Sequence, residues 1–234
     1  MFIKISRFCI IVILISACSE GEGEKNGLTA YDESVVEYFN EIALGFEFGS
    51  ASEVTRKWES NMKIFVGGTK TPDLMDELHR VVQEINALAT DGFSASVVTD
   101  SLESNFYIFL GSGGDYAKKF PSVLNLVLSN WGLFNVYFDA SNKIYGGIMY
   151  VDIDRANNIE EKHLLREELT QSLGLAKDSN RYADSIFHAN WTSTTEYSNI
   201  DKDLVRLLYH PSMQIGLDRV QSAELLREII LSEK

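Results

Sequence analysis

Apolar positions along this 234-residue chain follow two spacings, one helical and one of period two, in separate stretches. Val35, Val36, Phe39, Ile42 and Ala43 recur at helical spacing, and Gly45 is placed to stop that helix. Met62–Val66 is a short strand-like run closed by Gly67 and Gly68. Thr71-Pro72-Asp73 then predicts a helix start, with Thr71 as N-cap and Pro72 at the first helical position. Leu74, Leu78, Val81, Val82, Ile85 and Leu88 carry one apolar stripe onward from it. Strands are predicted over Ser94–Thr99 and Asn105–Leu110. Gly111–Gly114 reads as a plain loop, because no helix with a Lys-Ser/Thr signature follows to make it a phosphate cradle. Pro121–Gly132 is apolar and loosely helical, and Asn135–Phe138 and Gly147–Ile153 complete the strands. A helix over Ile159–Leu173 places Leu165, Leu169 and Leu173 on one face and ends at Gly174. Helices over Asp201–Tyr209 and Ser222–Leu231 finish the chain. The order predicts one α/β or α+β domain.

The N-terminus does not fit that domain. Lys4 and Arg7 precede an apolar run from Phe8 to Ile15, and Ser16-Ala17-Cys18 follows. The run is far shorter than the roughly 20 apolar residues that span a bilayer, and its flanks are those of a secretory signal. A Cys directly after small residues resembles the bacterial lipobox, with Ile15 where Leu is commoner. The resemblance implies a signal peptide over residues 1–17 and an acylated Cys18 as the first residue of the mature form. A flexible tether then runs to about residue 30, Glu/Gly-rich over Ser19–Gly27, and one domain occupies 31–234. Ser19 after Cys18, rather than Asp, resembles the sorting pattern for the outer membrane. The expected location is therefore the cell envelope, lipid-anchored, facing the periplasm.

Composition narrows the chemistry. The chain holds two cysteines, Cys9 in the expected signal and Cys18, so the domain has no thiol for a nucleophile, a zinc site or a disulfide. Its net charge is −13, and loss of Lys4 and Arg7 takes it to −15. A field of that sign opposes nucleic acid, which is not expected as a partner.

One stretch concentrates the candidate chemistry: Arg166-Glu-Glu-Leu-Thr-Gln-Ser-Leu-Gly-Leu175. It resembles the active-site helix of matrixin-like metzincin metalloproteases, which reads His-Glu-x-x-His-x-x-Gly-x-x-His. In that family two histidines on one helix face bind zinc, the Glu is general base, and the Gly lets the chain turn so that a third His reaches the metal. On that pattern Glu167 stands at the first His, Glu168 at the catalytic Glu, Gln171 at the second His, Gly174 at the turn and Lys177 at the third His. Asp184-Ser185-Ile186-Phe187 resembles the Met-turn, with Phe187 at the Met, and Asp201–Tyr209 resembles the closing helix. The likeness spans about Val54 to Tyr209. The chain is also similar to a bacterial family of unknown function that carries the same Arg-Glu-Glu-Leu-Thr-Gln-x-Leu-Gly-Leu signature. The resemblance implies an α+β, zincin-like fold: a mixed sheet, a long backing helix and an active-site-type helix.

The residues themselves point away from zinc. Gln171 offers a neutral amide oxygen and Lys177, protonated, repels a dication, which leaves Glu167 as the one ligand type of the three. Without the ion, Glu168 lacks the water whose pKa zinc brings from about 15.7 to about 7. Glu167 and Glu168, adjacent on a helix, are expected to diverge by roughly 100°. His163, Glu167 and Gln171 share a helix face over about 12 Å, too long for one ion, so His163 is expected in a polar surface row. His188 is the histidine expected nearest the former metal position, His79 is expected at the surface, and His210 at a helix end.

The leading expectation is an inactive pseudo-metalloprotease: a membrane-anchored lipoprotein without cofactor, zinc included, that binds a peptide or an envelope protein. The metzincin edge strand that holds substrate is expected within Gly146–Val151, where Gly146-Gly147 would admit another backbone. A second reading keeps a hydrolase working through Glu168, with a hard cation on oxygens of Glu167, Gln171 and Asp178. A third makes the chain a structural envelope lipoprotein.

Overall fold

The computed structural model describes residues 27–47 and 49–234. The expected signal peptide, Cys18 and the tether up to residue 26 lie outside the described residues. No helix among those described is long and apolar enough to cross a membrane.

Among the described residues the architecture is a mixed sheet with six α-helices. In chain order it runs α1 (Ala30–Ile42), β1 (Lys57–Trp58), β2 (Met62–Gly68), α2 (Pro72–Leu88), β3 (Ala95–Val98), β4 (Phe106–Gly111) and α3 (Gly113–Lys119). There follow β5 (Gly132–Phe138), β6 (Lys143–Asp152), α4 (Asn158–Gln171), α5 (Asn199–Leu208) and α6 (Arg219–Ser232). β3, β2, β4 and β6 lie side by side and parallel, β1 pairs in parallel with the start of β6, and β5 returns antiparallel along β6.

Alternation along the strands sorts the sheet into two faces. Ile64, Val66, Phe106, Ile108, Leu110, Met149 and Val151 point into the main core under α2 and α4. Tyr107, Phe109, Ile148 and Tyr150 point the other way, into a smaller cluster with Tyr116, Val123 and Val127. α2 forms as its sequence predicts, Thr71 capping the Leu74 N–H and Pro72 opening the first turn.

Two expectations fail here, and one short strand goes unforeseen. Gly111–Gly114 is not a plain loop: Ser112 accepts from the Asp115 N–H and caps α3. Lys57–Trp58 is a strand in its own right. Gly146–Val151 is no edge. β6 carries β4 on one flank and β5 on the other, and a Cβ at Gly147 would lie 2.7 Å from the Asn135 carbonyl and 2.9 Å from the Phe106 ring. Its glycines admit the neighbouring strand and ring, so on this side of the sheet the free edge belongs to β5.

Candidate functional site

The signature stretch forms α4 and the turn beyond it, and each residue has a distinct place. Asn157 caps the helix, accepting from the Ile159 and Glu160 N–H groups. Arg166 is fully buried, its guanidinium 2.6 Å from Glu84 and 3.1 Å from Glu77 of α2 and stacked 4.5 Å over the Tyr197 ring. Leu165, Leu169 and Leu173 enter the core. The Thr170 hydroxyl meets its own helix carbonyl at Arg166 and the Tyr197 hydroxyl. The last carbonyls are buried but satisfied: Trp58 Nε1 donates to Ser172 O at 2.9 Å and the Tyr209 hydroxyl to Leu173 O at 2.9 Å. Gly174 turns the chain at φ +118°, and a Cβ there would stand 2.0 Å from the Arg56 carbonyl. Only glycine fits.

That turn brings the following residues back along the helix. Lys177 swings outward, its ammonium 2.8 Å from Glu53. It is not among the cleft's lining residues, so Lys177 does not join Glu167 and Gln171 there. Asp178 takes the inward place and accepts from the Gln171 side-chain amide. The Ser185–Phe187 turn is held from beneath by α5: Ser185 Oγ donates to Asp201 at 2.6 Å and the Ile186 N–H to Asp201 at 3.1 Å. Phe187 is buried in the core, while its neighbours His188 and Ala189 reach the cleft.

The cleft has a volume of about 800 Å3. β5 forms one wall, Phe46 and Phe138 stack at one end 5.7 Å apart, and Trp131 and Trp191 stand partly exposed at the rim. The carboxylates of Glu47, Glu160, Glu167, Glu168 and Asp178 face it, and no Lys or Arg is among its described lining residues. Glu167 and Glu168, adjacent on α4, both line this one cavity. His163, expected at the surface, is buried; its Nδ1 meets the Thr194 carbonyl at 2.7 Å and its Nε2 lies 3.3 Å from Glu167. The apolar rim of Leu164 and Trp191 covers the row that spacing alone made look solvated. His79 is exposed, as expected, and His210 closes a turn by accepting from the Ser212 N–H.

β5 offers its backbone to the cleft. The Asp152 N–H bonds the Trp131 carbonyl, which fixes the phase of the antiparallel pair. Leu133, Asn135 and Tyr137 thus face β6, and Gly132, Phe134 and Val136 turn their N–H and C=O groups to the free edge. The Phe134 N–H lies on the side of the Glu168 carboxyl and favours its charged form. Gly132 makes room for it, since a Cβ there would lie 2.4 Å from Glu168 Oε1.

Crowding of carboxyls sets the electrostatics. Burial, then the charges of Glu167, Asp178 and Glu47, push the Glu168 carboxyl well up, opposed by the Phe134 N–H. Burial and the same neighbours, Glu167 and Glu47, push Asp178 up to about 7. Glu47 is raised by burial and by Glu167. Burial pulls His163 down, but the Glu167 carboxylate and the Thr194 carbonyl outweigh it and the net shift is upward.

The donor set does not fit zinc. Glu167 is engaged by His163, Gln171 by Asp178 and Lys177 by Glu53, and no three His, Cys, Asp or Glu side chains among the described residues are grouped to hold one ion. A family model matches residues 32–228.

The chain belongs to the family described as protein of unknown function DUF2927.

Two solved structures of myroilysin are similar to this chain. One has 12% identity and a TM-score of 0.41, covering 67% of this chain and 97% of that one. The other has 13% identity and a TM-score of 0.43, covering 73% and 95%. A likeness this distant carries no activity with it. No curated protein matches the chain in sequence.

Reasoning from sequence missed the Arg166 ion pairs, although Glu77 and Glu84, seven apart on α2, carried the signal: two turns of helix put both on one face. It also missed Glu47, which nothing in its local pattern marks.

Proposed function

We propose that this protein is a membrane-anchored, metzincin-like lipoprotein of the cell envelope that has lost the zinc site and holds an extended peptide or protein segment along β5. The observation that carries this reading is the free edge of β5, whose Gly132, Phe134 and Val136 backbone groups open onto a cleft of about 800 Å3. An extended segment added there gains main-chain hydrogen bonds, and the apolar walls take alternate side chains. Asp178 and Gln171 pair with each other where a zinc ligand would have to be free, which supports a binding role over metal hydrolysis.

The test has two arms. Metal analysis of the purified protein, with proteolysis of denatured casein by the parent and by Glu168→Ala, is expected to find neither stoichiometric metal nor Glu168-dependent cleavage. Either finding would replace this reading with a hydrolase. Crosslinking in the envelope is expected to recover a partner that Val136→Pro loses, because proline removes an outward N–H and blocks the edge. Recovery of the same partners by the variant would rule out the β5 edge.

A further inference from the structure

The cleft floor has a composition that the edge strand alone does not explain. Five carboxylates line it without a lysine or arginine among the described lining residues. Glu168 is the most telling of them. It is 8% exposed, it lines the cleft, and among the described residues no Lys, Arg or His forms an ion pair with it. Elsewhere among the described residues each buried carboxylate has its own partners: Glu77 has Arg166 and Arg80, Asp152 has Arg155, and Asp201 accepts from Ser185 Oγ and the Ile186 and Ser198 N–H groups. The cleft breaks that rule in one place, and that place adjoins the free strand edge. Burying an uncompensated carboxylate is costly, so a floor of this kind is complete when a cation from outside occupies it.

We propose that the floor formed by Glu167, Glu168 and Asp178 is a subsite for a basic side chain, lysine or arginine, of an extended peptide segment laid on β5. The proposal rests on the β5 reading and adds the class of residue recognised. The segment's carbonyl takes the Phe134 N–H. The Glu168 carboxyl turns to the incoming ammonium or guanidinium, beside Glu167 and Asp178. Arginine matches paired carboxylates with its planar fork of donors. Phe134 and Val136, on the face of β5 towards α4, and Phe46 across the cleft supply apolar contact for the aliphatic stem.

The experiment uses the full-length protein and two pentapeptides, acetyl-Val-Thr-Arg-Thr-Val-amide and the same peptide with citrulline, a neutral isostere, in place of arginine. Calorimetry or fluorescence anisotropy at pH 8 reads their affinities. The arginine peptide is expected to bind at least about tenfold more tightly. The advantage is expected to vanish in Glu167→Gln/Asp178→Asn, and both peptides are expected to be lost in Val136→Pro. Equal affinity for the two peptides, with loss in Val136→Pro, would overturn the basic subsite and leave the edge-strand reading standing. Binding of neither at about 1 mM would overturn both. Spermidine binding as tightly as the arginine peptide, unaffected by Val136→Pro, would make the floor a site for a free polyamine and overturn the peptide subsite. Because the peptide comparison uses the unsubstituted protein, it stands even if a variant misfolds.

Discussion

Asp178→Asn should make the protein more stable at pH 8 and leave it nearly unchanged at pH 4. Asp178 sits between Glu167 and Glu47 with its carboxyl raised from an ordinary 3.8 to about 7. A carboxyl whose folded pKa exceeds its unfolded value binds more protons when folded. Stability therefore falls as pH rises between those two values and levels off above the folded one. Three units at about 1.36 kcal/mol each set a ceiling of roughly 4 kcal/mol. The cleft is open on one side and the neighbouring acids share the charge, so roughly 1–3 kcal/mol is the expected gain. Asparagine keeps the acceptor for the Gln171 amide, so that hydrogen bond survives and the substitution isolates the charge. Urea unfolding at pH 4, 6 and 8 reads the difference directly, with equal m-values as the check that the unfolded states match. A variant-minus-parent difference that is flat across pH, or that favours the parent at pH 8, would refute the view that the floor is crowded with carboxylates that no Lys or Arg offsets.

Other substitutions test the scaffold around the cleft. Arg166→Ala is expected to cost about 3 kcal/mol, since it leaves Glu77 buried with only Arg80 and strips Glu84 of its partner; chemical denaturation measures it. Gly174→Ala should be worse than an ordinary glycine-to-alanine change, by about 2 kcal/mol or more, because φ +118° and the Arg56 carbonyl at 2.0 Å both oppose a Cβ. Thermal unfolding would expose a mild effect and so a wrong path for the turn. Lys177→Ala should change stability by under about 0.5 kcal/mol, as its Glu53 partner is largely exposed. A large loss, or altered cleft binding, would return Lys177 to the site.

Legibility in the sequence followed the range of the interaction. Thr71-Pro72 and the stripe from Leu74 to Leu88 announced α2 because capping and periodicity are local. Gly174 was legible as a turn for the same reason, though not as the point where the Arg56 backbone passes within a Cβ's reach. The resemblance of the 166–175 stretch to a metzincin helix picked out Glu167, Glu168 and Gln171, and these do line one cleft. What spacing could not supply was direction after the turn. Whether Lys177 or Asp178 faces inward depends on a single residue of phase set by the Lys177 N–H bonding the Ile42 carbonyl, 135 positions away. The edge strand was misplaced for a related reason. Gly146-Gly147 signals a close approach of backbone, and the backbone that approaches is β5 itself. His163 looked solvated because its neighbours in sequence are charged, while its cover, Trp191 and Thr194, comes from a distant loop.

The account turns on β5 as the strand that receives another chain. Amide hydrogen exchange of the full-length protein, with and without the arginine pentapeptide, reads that edge residue by residue. Slowed exchange at Val136, with Leu133 and Asn135 already protected by β6 and unchanged, is the expected result. Protection that spares Val136, or that appears only on surfaces remote from β5, would contradict the account.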